Sequence, residues 1–157
     1  VAAYTDPRLK AWLAMDPWMH PLYAEFTLNR AIPSLVVTVD AFLWEANDER
    51  ITSVLSQNRE LCQSNLTLRL TAPETRHMDQ SDGSMFVTNR LMRYLLRRGV
   101  GKADSGETLK KHCAIALAFF DKLFQRVTTP EPHYQKELDI IWHNQEDPNH
   151  LKVDLRL

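Results

Sequence analysis

Residues 65–98 read NLTLRL (65–70), TAPETRHMDQSDG (71–83) and SMFVTNRLMRYLLRR (84–98). The strict alternation through Leu66, Thr67, Leu68, Arg69 and Leu70 is the pattern of a half-buried strand, with the leucines on one face and Thr67 and Arg69 on the other. The connection that follows is polar and punctuated by Pro73 and Asp82-Gly83, with room for a turn or two of helix over 74–80. Ser84 caps a predicted helix that runs to Arg98, and Gly99 stands where a left-handed residue ends a helix. On a helical wheel Met85, Leu91, Met92, Leu95 and Leu96 share one broad arc, while Arg90, Arg93 and Arg97 form a narrow basic stripe. Arg98 and Lys102, with Lys110 and Lys111 one loop later, extend that positive edge.

Upstream, Asp6-Pro7 and Asp16-Pro17 each place a capping carboxylate ahead of a proline that tolerates the first helical position. Two short helices are expected, one carrying Leu9, Trp12 and Leu13 and one over 18–31 carrying Leu22, Phe26 and Leu28. From Ser34 a helical spacing runs through Val36, Val39, Leu43 and Ala46 and on through Ile51, Val54, Leu55, Leu61 and Cys62. The β-branched run 35–39 fits a strand as well, but the persistence of the spacing downstream favours helix.

Downstream, Asp104 and Glu107 form a capping box for a helix over 105–127. Its stripe of Leu109, Cys113, Ala116, Phe120, Leu123 and Val127, widened by Ile115, Leu117, Phe119 and Phe124, predicts the central core helix. A last helix is expected over 131–145. The tail 151–157 alternates like 66–70, and pairs either with that strand or with a partner chain. The fold class read from these patterns is mainly α: a single helical domain with one or two short β-strands, divided into an N-terminal helical arm (1–33), a core (34–145) and a strand-like tail (146–157).

A chain of 157 residues with 44% hydrophobic and 25% charged residues can bury one sizeable core. Its formal net charge of -1 means that attraction to nucleic acid must come from clustered charge. The two cysteines, Cys62 and Cys113, fit no metal-finger spacing and suggest a reducing, cytoplasmic location. No apolar run approaches the roughly 20 residues needed to cross a bilayer, so no membrane partner is expected.

Candidate chemistry is sparse. There is no Gly-rich phosphate loop, no G-x-S-x-G and no H-E-x-x-H. His133, His143 and His150 are too far apart to share one helical face, and His20 and His77 sit in polar, loop-like surroundings. The acid pairs Asp79/Asp82 and Glu146/Asp147 flank turns, where carboxylates cap and solvate. Cys113, inside the most apolar helix, reads as a small hydrophobe. These readings predict no catalysis, no cofactor and no metal.

The strand 66–70, the polar connection and a helix opened by Gly83-Ser84 and carrying Arg90 and Arg93 together resemble the ribbon-helix-helix family of DNA-binding regulators, in an elaborated form like those of conjugative plasmids and integrative elements. The resemblance implies a homodimer that pairs two strands into an antiparallel ribbon in the major groove of duplex DNA. Thr67 and Arg69 would read bases. Ser84 at the helix start would hold a phosphate, and Arg90, Arg93, Arg97, Arg98 and Lys102 would clamp the backbone. The expected function is therefore a sequence-specific transcriptional regulator. The alternative is a helical protein–protein interaction or adaptor module using Trp12, Trp18 and Tyr23. Pairing of 66–70 with the tail of its own chain would remove the ribbon.

Overall fold

The computed structural model of the chain describes residues 2–19, 21–22, 26–39, 44–61, 66–81, 87, 90–96, 99–124 and 153–154. Four strands, β1 (Trp12–Met15), β2 (Ser34–Val39), β3 (Thr67–Ala72) and the two-residue β4 (Val153–Asp154), lie side by side in that order. Every neighbouring pair is parallel. Among the described residues the helices are α1 (Ala2–Thr5), α2 (Glu45–Leu61), α3 (Arg90–Leu95) and α4 (Ser105–Phe124), with one 3-10 turn at His77–Gln80. The chain is thus α/β, and the expectation of a mainly α domain is overturned.

The reason lies in 34–39. SLVVTV is buried at all six positions, because a parallel strand with a neighbour on each side is covered on both faces and reads as a continuous apolar, β-branched run. The helical spacing that appeared to continue from Val36 to Leu55 joins two elements. Its downstream half belongs to α2, whose buried face is Asn47, Ile51, Val54, Leu55 and Asn58.

Alternate residues of β2 enter opposite layers. Leu35 and Val37 pack with Leu66, Leu68 and Leu70 against Ala114, Ile115, Ala118 and Phe119 of α4. Val36 packs on the other face against Ile51 and Leu55 of α2. The sheet therefore lies between two helices, the layered arrangement of an α/β domain.

β3 has the predicted alternation but neither face is wet. Thr67 and Arg69 are only 5% and 3% exposed, because α2 covers the side on which they stand. Arg69 forms an ion pair with Asp48 and donates Nη1 to Thr52 Oγ1 at 3.1 Å. β3 pairs with β2 and, through Leu70↔Val153 and Thr71↔Asp154, with the tail of the same chain. Both of its edges are thereby taken, and no two-fold ribbon forms on it.

Other expectations change for equally local reasons. The first expected helix is replaced by a strand at Trp12–Met15, and among the described residues of 18–31 there is no helix. α4 starts at Ser105 with Asp104 capping it, Oδ1 accepting from Glu107 N at 2.9 Å. The face it buries, however, is Thr108, His112, Ile115 and Phe119, with Cys113 and Leu117 exposed. Gly99 is not left-handed, since no described glycine has positive φ. It is small because a Cβ there would sit 2.7 Å from Met78 Sδ. Of the helix expected over 84–98 the described residues show only α3, Arg90–Leu95, and Val87 is not helical; the helix expected over 131–145 lies outside the described residues. No helix among the described residues is long and apolar enough to cross a membrane.

Asn58, fully buried on α2, fastens the helix to two strands. Ile32 N donates to its Oδ1 at 3.0 Å, while its Nδ2 reaches Ile32 O at 2.8 Å and Thr67 Oγ1 at 2.7 Å. Asn58→Ala strands these buried polar groups and should cost about 3 kcal/mol of stability. A urea midpoint unchanged in that variant would show that the α2–sheet seam does not depend on it.

Candidate functional site

In a parallel sheet all strands point the same way, so their carboxyl ends share one edge, and the loops leaving that edge converge. Two such loops meet here. Asp16 follows β1 directly and His77 lies in the connection that leaves β3, on the far side of β2. His77 Nδ1 is 2.6 Å from Asp16 Oδ2, across 61 positions of sequence.

Backbone geometry fixes the acid. Asp16 N donates to Val37 O at 2.6 Å, and its Oδ1 accepts from Val39 N at 3.4 Å. Asp16 has φ 43, a left-handed conformation that aspartate tolerates better than most residues but that still carries strain. The turn beyond it is held by Asn47 on the first turn of α2, whose Oδ1 accepts from Met19 N at 2.7 Å and whose Nδ2 reaches Pro17 O at 3.2 Å. The Asp-Pro pair predicted as a helix cap is therefore a sharp exit from a strand.

Burial divides the pair unequally. The side chain of Asp16 is 3% exposed and that of His77 is 52% exposed. The carboxylate is shielded, with both oxygens occupied, while the imidazole reaches solvent. With an ionised Asp16 as acceptor, Nδ1 carries the proton and Nε2 is left as the basic nitrogen. This is the arrangement of a general base oriented by a buried acid.

The loop that carries His77 is held from behind. Pro73-Glu74 forms a turn with Glu74 at φ 57, and Glu74 O accepts from Lys102 N at 2.9 Å and Ala103 N at 3.2 Å. Met78 N donates to Gly99 O at 2.9 Å. Asp79, fully buried, accepts from Arg76 N at 2.8 Å and Gly101 N at 2.7 Å on a single oxygen, Oδ2. On the side toward α4 the same loop borders a cavity of about 220 Å³ lined by Thr75, Thr108, Lys111 and His112.

The residues predicted to touch DNA do not gather at this edge. Thr67 and Arg69 are buried under α2 at the start and middle of β3, where Thr67 Oγ1 is bonded to Asn58 and Arg69 to Asp48. Lys102 is exposed in the loop before α4. Arg90 and Arg93 lie on α3, with side chains outside the described set, and Ser84, Arg97 and Arg98 are outside it altogether. Of the aromatics assigned to a partner surface, Trp12 is partly buried with Nε1 donating to Tyr4 Oη at 2.7 Å, Trp18 is 62% exposed, and Tyr23 lies outside the described residues. Among the described residues no three His, Cys, Asp or Glu side chains are grouped to hold a metal ion.

Asp16 and His77 each have a local explanation in the sequence, as a helix cap and as a loop histidine. The signal that joins them is topological: an acid just after one strand and a histidine just after another, in that chain order.

The family model described as platelet-activating factor acetylhydrolase, isoform II, matches residues 1–131. That span includes all of β1 to α4 and both members of the pair. This overturns the likeness to ribbon-helix-helix regulators, and with it the reading of the chain as a non-enzymatic transcriptional regulator or adaptor. No curated protein and no solved structure matches the chain.

One histidine beside the loop makes folding stability depend on pH. His112 is 3% exposed, and burial pushes it down to about 4, with the charge of Asp79 opposing the shift. Because the folded state binds the proton less well than the unfolded chain, stability is fully present above the ordinary value of 6.5 and is lost as pH falls toward 4. The loss attributable to His112 should reach about 3 kcal/mol, by the linkage of roughly 1.4 kcal/mol per unit. Urea unfolding between pH 7 and 4.5 should show a shallower pH dependence in His112→Gln than in the wild type, and identical slopes would refute this assignment.

Proposed function

The chain belongs to the platelet-activating factor acetylhydrolase isoform II family, and from that premise we propose that it is an esterase that removes a short acyl group from a phospholipid, with His77 as general base and Asp16 as its orienting acid. The observation that carries this reading is the 2.6 Å contact between His77 Nδ1 and the buried Asp16 carboxylate at the carboxyl edge of a parallel sheet. Acid before base is the chain order of α/β-hydrolase sites, whose nucleophile precedes both.

The chemistry follows from the division of the pair. Nε2 of His77 takes the proton from an attacking hydroxyl as its oxygen bonds to the ester carbonyl carbon, giving a tetrahedral intermediate with the carbonyl electrons on oxygen. The imidazolium so formed is stabilised by Asp16, and it returns the proton to the departing alkoxide of the lysolipid as the acyl–oxygen bond breaks. Where that hydroxyl is a side chain's, water then attacks the acyl group left on it, with the same nitrogen accepting and returning the proton, and releases the carboxylic acid. Asp16 keeps its negative charge throughout. The left-handed backbone at Asp16 suits this role, since it turns the carboxylate back over the end of β2 toward the loop after β3.

In the full-length protein, hydrolysis of p-nitrophenyl acetate and of an acetylated glycerophospholipid should fall by about 10⁴ in kcat for His77→Ala, and by a similar factor for Asp16→Asn, with little change in KM. Retention of more than a tenth of the wild-type kcat by His77→Ala would dismiss the histidine as base. Absence of hydrolysis of either ester by the wild-type protein would dismiss the esterase reading as a whole.

A further inference from the structure

We propose that Asp79 and Gly101 form a positioning clamp for the His77 loop, fixing the distance from the imidazole to Asp16; the proposal rests on the esterase reading for its catalytic consequence. Asp79 lies two residues beyond His77, in the same 3-10 turn, and has no exposed surface. Its Oδ2 accepts from Arg76 N, one residue before the histidine, and from Gly101 N, in the connection between α3 and α4. One oxygen thus ties the His77 turn both to itself and to the entry of the core helix.

Two features indicate that the clamp helps to set where His77 stands, alongside the packing of its turn against α4. Among the described residues the other carboxylate oxygen, Asp79 Oδ1, is buried without a hydrogen-bond partner. A buried polar oxygen left unpaired is costly, and a group held so calls for a compensating role. The approach is also too close for any side chain at 101, where a Cβ would lie 2.3 Å from Glu74 O, 2.6 Å from Asp79 Oδ2 and 2.8 Å from Thr75 Cα.

The clamp acts through His77 and touches no reacting atom. A base displaced by about 1 Å loses on the order of 10²-fold in rate, so Asp79→Ala and Gly101→Ala should each lower kcat by roughly 10–100-fold with KM nearly unchanged. Asp79→Asn retains an oxygen that can accept both N–H groups and should recover to within about threefold of the wild type, on the same reasoning that the acceptor sets the geometry.

The measurement that separates positioning from general stability is exchange of the His77 Nδ1 proton with water, followed by NMR in folded protein. The bond to Asp16 slows that exchange. In Asp79→Ala and Gly101→Ala it should quicken toward the rate in Asp16→Ala, and in Asp79→Asn it should stay near the wild-type rate. Unchanged exchange and unchanged kcat in Gly101→Ala and Asp79→Ala, where His77→Ala abolishes hydrolysis, would overturn the clamp and leave the esterase reading standing. Asp79→Asn as impaired as Asp79→Ala would overturn the acceptor account of it. Hydrolysis indifferent to His77→Ala, with exchange quickened as expected, would keep the clamp and discard the catalytic role it was built upon. Asp79→Asn, which keeps an acceptor for both N–H groups, also keeps the test available should Asp79→Ala or Gly101→Ala not fold.

Discussion

A strand that runs between two parallel neighbours and beneath a helix on each face has no solvent to turn to. β2 is in that position, and most of the structure can be read as the consequence. Its backbone groups must pair with β1 and β3, and its side chains must be apolar or bonded within the protein. Ser34 and Thr38 meet that demand through Ile32 O and Leu70 O. The apolar residues between them divide between α2 and α4, which fixes the three-layer order. Once the layers are fixed, the carboxyl ends of β1 and β3 must lie on either side of the end of β2, and the residues leaving them are brought within reach of one another.

The same constraint governs the polar face of β3. Thr67 and Arg69 would be solvent-facing in a two-stranded ribbon or on an open sheet. Here the crossover from β2 to β3 passes through α2, which lies over them and supplies Asn58, Thr52 and Asp48 as partners. A buried guanidinium is tolerable only with such partners. A strand whose polar residues are satisfied from above cannot offer them to a groove below. The DNA reading failed at this layer of packing, one step beyond the local pattern that suggested it.

Much of the local structure was legible. The alternation of 66–70 marks a strand, 105–124 is a helix capped by Asp104, and the tail contributes a strand partner. What failed was the assignment of faces. Two-sided burial erases the period-two signal in 34–39 and makes a strand resemble a short apolar helix segment. In α4 the burial of His112 and the exposure of Cys113 invert the expectation from hydrophobicity, because His112 packs behind the loop of the candidate site. Asp16 and His77 were invisible as a pair for a different reason. Each residue type has an ordinary explanation at its own position, and only the strand order reveals that positions 61 apart are adjacent.

That strand order also explains why the acid and base experience different surroundings. Asp16 is the first residue past β1 and remains within the hydrogen-bonded lattice, receiving N–H from Val39 and buried beneath the turn that Asn47 holds. His77 comes five residues after the end of β3, far enough to leave the sheet and reach solvent, and must be brought back by contacts made outside it. Those contacts come from the segment ahead of α4, through Glu74, Met78 and Asp79. The acid is therefore positioned by the sheet and the base by a helix entry. Any motion of α4 relative to the sheet changes the separation of the two groups, so the packing of Ile115 and Phe119 against Leu35 and Leu70 is as much a part of the site's geometry as the pair itself.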